Sequence, residues 1–108
     1  MKIILTTFVL LVSINSFAKD LNCQYTNHDG KKGTAAISID EDNLNVKLVF
    51  KSITVTSQKC KMTLKPDEIT VECDEDGNSI GVILELIDGK LEGVLISEKA
   101  GVFGEANC

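Results

Sequence analysis

Residues 79–97 read SIGVILELIDGKLEGVLIS, two apolar-rich runs hinged on Asp88-Gly89. Asp-Gly between alternating runs is a strong hairpin signal, because a type I′ turn needs positive φ at both central residues. That turn sets a register in which Leu86 faces Leu91, Leu84 faces Gly93 and Val82 faces Leu95. On the other face Ile83 meets Val94, Glu85 meets Glu92 and Gly81 meets Ile96, with Ile87 near the turn. One face must line the core. The other then either presents Ile83, Ile87, Val94 and Ile96 as a protein-binding surface, or is covered by a sandwich layer or by the 102–108 segment.

Working toward the N-terminus, the pattern repeats. Cys60, Met62 and Leu64 alternate with polar residues, Lys65-Pro66-Asp67-Glu68 turns the chain, and Ile69, Val71 and Cys73 return on the same face. If Leu64 faces Ile69, then Cys60 faces Cys73, at a spacing of roughly 4.5–5.5 Å within disulfide reach. The remaining cysteines, Cys23 and Cys108, lie near the two ends of the domain. Four cysteines allow three connectivities, and this geometry favours Cys60–Cys73 with Cys23–Cys108.

Earlier still, Leu44, Val46, Leu48 and Phe50 give the cleanest alternation, after a turn at Asp40-Glu41-Asp42-Asn43. Ala35, Ile37 and Ile39 precede it, and Leu21, Cys23 and Tyr25 share one face of a first strand. Ile53 and Val55 are out of phase with Cys60 and Met62, which requires a bulge or loop near Thr56–Lys59. After Ala18 there is no helical stripe. Seven or eight short antiparallel strands predict an all-β fold, a small single-domain barrel or barrel-like sandwich with two disulfides. Closure favours the barrel because it removes exposed edges.

Residues 1–18 have the form of a secretory leader. Lys2 precedes the apolar run Ile3–Val12, and Ser16-Phe17-Ala18 predicts cleavage after Ala18. The leader's apolar run is about half the ~20 residues a spanning helix needs, so no membrane span is expected. Residues 19–108 then form one disulfide-stapled domain, secreted or periplasmic, where thiols pair. A domain of this size buries only about 60% of its unfolded surface, and two disulfides suit that need.

The chain carries 11 Lys+Arg against 16 Asp+Glu, a net charge of −5, and it contains no arginine. Nucleic-acid binding needs a basic face and is not expected. Catalytic and metal readings fail on spacing. With Gly77 at the sixth position of an EF-hand loop, Ile83 falls at the twelfth, where a carboxylate is required. That leaves Asp74–Asn78 as a solvated turn. His28 lies in the loop Asn27–Gly33 with no nucleophile motif nearby, and the cysteines lack CxxC spacing. Glu85 and Glu92 form a close carboxylate pair, but on an outer face where solvent screens them. No cofactor is called for.

In its layout, with Cys23-Gln24-Tyr25 in a first strand and Asn107-Cys108 at the end, the chain resembles the small exported bacterial β-barrels that inhibit c-type lysozymes. That resemblance implies inhibition by surface contact. The family's Ser-Gly and Lys-Gly inhibitory loops have only a distant echo in Glu98-Lys99-Ala100-Gly101, so no functional residue is carried across.

The expected function is an exported protein-binding module, acting through the outer hairpin face or through the loops Asn27–Gly33 and Ser97–Gly101. Inhibition of a secreted or host hydrolase such as a lysozyme is one concrete form. The alternatives are a carrier for a small apolar ligand, with Ala35, Gly81 and Gly93 lining an interior void, and a structural envelope component. An enzyme is the least supported reading.

Overall fold

The structure, a computed structural model, describes residues 18–108; residues 1–17 of the expected leader lie outside the described residues. Nine strands run in chain order: β1 Ala18–Asn27, β2 Lys32–Asp40, β3 Asn45–Val49, β4 Thr54–Ser57, β5 Cys60–Lys65, β6 Glu68–Cys73, β7 Ile80–Ile87, β8 Lys90–Ser97 and β9 Val102–Asn107. They form one antiparallel sheet in the order β4-β3-β2-β1-β9-β8-β7-β6-β5, curled into a nearly closed barrel. The count exceeds the expected seven or eight because β4, only four residues long, pairs with β3 in its own right (Leu48↔Val55).

Alternation decides what is buried. Ile37 and Ile39 from β2, Val46 and Leu48 from β3, Val55 from β4, Ile69 and Val71 from β6, Val82 and Leu84 from β7 and Leu95 from β8 fill one core. Their outward neighbours are more exposed, as a half-buried strand requires. Leu44 departs from the expected alternation. It occupies the left-handed region (φ 51°) and is exposed, because the chain is still turning: its N–H donates to the Glu41 carbonyl. The turn is also held by Asn43, whose Nδ2 donates to Asp40 Oδ2 at 2.8 Å.

The Asp88-Gly89 turn has φ of 51° and 82°, as type I′ demands, and the β7–β8 register runs from Ile80↔Ser97 to Ile87↔Lys90. In the neighbouring hairpin Cys60 lies opposite Cys73 and is bonded to it, and Cys23 is bonded to Cys108. These two disulfides are compatible with an oxidising compartment. Among the described residues no helix is long and apolar enough to cross a membrane.

Two meanders, β1–β4 and β5–β9, become one sheet because β1 pairs with β9, from Gln24↔Asn107 to Asn27↔Gly104. Two inner-face glycines let neighbouring backbones come close. A Cβ at Gly93 would overlap the Ile83 carbonyl oxygen, and one at Gly104 would overlap that of Thr26. Glycine inside a strand commonly marks such an approach.

The sheet has its two edges at β4 and β5, which are joined by Gln58-Lys59 and share no ladder. The expected phase change falls at this connection. Val55 and Ser57 are buried on one side of it, Cys60 on the other. The β6–β7 turn ties the seam: Asn78 Nδ2 donates to the Thr56 carbonyl at 2.9 Å, and Ser57 Oγ donates to Glu75 Oε1 at 2.9 Å. The Asp74–Asn78 segment is therefore only partly the solvated turn read from sequence. Asn78 is buried because its amide satisfies a carbonyl at the free edge of β4.

Candidate functional site

The β7–β8 hairpin turns Val82 and Leu84 inward, where both are fully buried, whereas Leu86, on the same side but near the turn, is exposed. Its other face stays open, because β9 adds beside β8 in the same sheet (Ser97↔Val102, Leu95↔Gly104) rather than covering the hairpin. Ile83 is 39% exposed. Val94, directly opposite, and Ile96, two positions along β8, are half-buried. Ile96 rests over Gly81, where an added Cβ would lie 3.4 Å from its Cδ1. Ile87 is exposed but stands apart from these three, beyond the Glu85↔Glu92 rung and beside the turn.

Phe103 extends this surface onto β9. It sits opposite Ile96 and, at 57%, is the most exposed of the large apolar side chains among the described residues. Sequence reading missed it. The signal was there: with a four-residue connection, Ser97 pairs with Val102, which forces Phe103 opposite Ile96. The 102–108 segment, one of the two covers considered for this face, instead continues it as β9.

One residue organises the adjoining loops. Asn27, at the end of β1, accepts the Phe103 N–H at 2.8 Å through Oδ1 and donates through Nδ2 to the Gly101 carbonyl at 3.2 Å. The His28 N–H donates to the Phe103 carbonyl at 2.9 Å. The loops Asn27–Gly33 and Ser97–Gly101 therefore lie together at one end of the barrel. The His28 ring is 6.1 Å from the Phe103 ring and tilted by 46°. His28 is exposed, and its Nδ1 is 3.3 Å from Asn27 Oδ1.

A groove of about 510 Å³ runs along this junction, between His28, Phe103, Val94 and Glu105. A second groove, of about 360 Å³, continues from Val94 and Glu105 to Glu85, Glu92 and Ile87. The face is thus one shallow surface, apolar toward the loops and acidic toward the Asp88-Gly89 turn.

The three small residues expected to line a void are not on one side of the sheet. Ala35 is buried in the core, Gly81 lies outside under Ile96, and Gly93 is closed by the Ile83 carbonyl. Among the described residues no group of three His, Cys, Asp or Glu side chains converges to hold a metal ion, and no cysteine is free. Comparison with family models, curated proteins and solved structures returns no match.

Proposed function

We propose that this protein is an exported protein-binding module, secreted or periplasmic, that acts by surface contact through the outer face of β7–β9 and the loops beside it. Inhibition of a secreted or host hydrolase, such as a lysozyme, is the concrete form considered first. The observation that carries the reading is the continuity of Ile83, Val94, Ile96 and Phe103 with the loop pair tied by Asn27. Contiguous exposed apolar surface of this kind marks interaction sites, and Phe103 adds an aromatic side chain of the sort enriched at interfaces. Rigid β-strands present the face at little ordering cost on binding.

The test is affinity capture with the oxidised protein beside a Val94→Lys, Ile96→Lys variant that retains the native circular dichroism spectrum. A secreted hydrolase bound and slowed by the first protein, and neither bound nor slowed by the variant, is the expected result. Equal capture by both proteins removes this face as the site. A c-type lysozyme is the first hydrolase to assay.

A further inference from the structure

The acidic half of the face identifies the chemistry of the partner, an inference that rests on the binding-module reading. Glu85 stands directly opposite Glu92, and Glu105 lies opposite Val94, one side-chain row away on the same face. All three carboxylates line the same groove. Like charges placed directly across a strand pair are destabilising. Among the described residues none of the three is in an ion pair: the one pair is Lys65–Glu68, whose carboxylate stands opposite Glu85 and adds a fourth acid to the row, with Lys90 at the turn as a further cation on this face.

Three kinds of occupant can be compared. A second copy packed through this face would bring two sets of the three carboxylates together, between chains of net charge −5 each. A bound metal ion needs converging ligands, and none of the described carboxylates forms such a group. A cationic protein surface meets both requirements. Its lysine or arginine side chains would lie over the carboxylates, and an apolar neighbour would rest on Val94 and Phe103. Complementary charge of this sort speeds encounter and excludes wrong partners.

We propose that the β7–β9 face docks a cationic protein surface, with Glu85, Glu92 and Glu105 as the charge-recognition residues and Ile83, Val94 and Phe103 as the apolar anchor. The probe is an alternating lysine–leucine peptide, which stands in for such a surface, with a glutamate–leucine peptide as control. Binding is followed by amide chemical shifts of the isotopically labelled protein. The lysine peptide should shift Ile83, Glu85, Glu92, Val94 and Glu105 together. A Glu85→Gln, Glu92→Gln, Glu105→Gln variant should bind it roughly tenfold more weakly or worse. Raising salt from 0.05 M to 0.5 M should weaken wild-type binding, because exposed charges are screened over about 10 Å or less.

Absence of binding overturns the proposal. So do shifts centred on Asp40–Asn43 or Asp74–Gly77, or equal affinity for the triple variant. The two readings fail separately. If a captured hydrolase is lost with Val94→Lys, Ile96→Lys but kept, with no salt dependence, by the triple glutamine variant, the binding module stands and the cationic partner falls.

Discussion

Gly93→Ala should damage this fold far more than Gly81→Ala, although the two glycines sit in adjacent strands of one hairpin. At Gly93 the added methyl would overlap the Ile83 carbonyl oxygen and lie 2.8 Å from its carbon and 3.0 Å from Leu84 Cα. All three are backbone atoms, so no side chain can rotate away and β7 and β8 must separate locally. Overpacking of a tight interior costs about 1–3 kcal/mol. Loosening one or two ladder hydrogen bonds adds about 1 kcal/mol each.

The combined loss is on the order of 3 kcal/mol, a large fraction of the roughly 5–10 kcal/mol expected for a domain of this size. That corresponds to a fall in Tm of roughly 10–25 °C. At Gly81 the same methyl meets only the Ile96 side chain, at 3.4 Å, and Ile96 is half-buried with room to adjust. Its effect should stay within about 0.5 kcal/mol. Urea unfolding of the oxidised proteins, followed by circular dichroism, measures both. If Gly93→Ala unfolds within 0.5 kcal/mol of wild type, the close approach of β7 and β8 is wrong.

Replacing Cys60 and Cys73 with serine should lower stability by about 3 kcal/mol, and replacing Cys23 and Cys108 by about 4.5 kcal/mol, because the second bridge closes a far longer loop; denaturant midpoints of the two variants, compared without reductant, check the order. Asn27→Ala removes an acceptor for the Phe103 N–H and a donor to the Gly101 carbonyl. It should cost about 1–3 kcal/mol. Amide hydrogen exchange should speed up in both Asn27–Gly33 and Ser97–Gly101, and faster exchange in only one loop would show that Asn27 does not couple them. Finally, Leu84→Ala should cost about 2–5 kcal/mol, whereas its neighbour Ile83→Ala should cost under 1 kcal/mol. Equal losses by thermal melting would mean that the outer face is covered.

The strands, their turns and the Cys60–Cys73 hairpin were legible in the sequence because each depends on neighbours close along the chain. Period-two alternation names the buried positions, Asp88-Gly89 fixes its own register, and Lys65–Glu68 aligns the two cysteines. Ile83, Val94 and Ile96 followed from that same local register. Leu44 did not, since its turn is held by bonds to Asp40 and Glu41 that alternation does not encode.

Tertiary structure alone decided the rest. Asn27 and Phe103 meet across 76 residues of sequence, and no local pattern records that contact. Which hairpin face becomes the core is likewise a sum over the whole sheet: Leu84 is buried because β1 and β9 pair and the curled sheet surrounds it, while Ile83, one residue earlier, is left to solvent. Hydrophobicity cannot separate the two, because burial is non-directional and takes whichever face the closed backbone encloses.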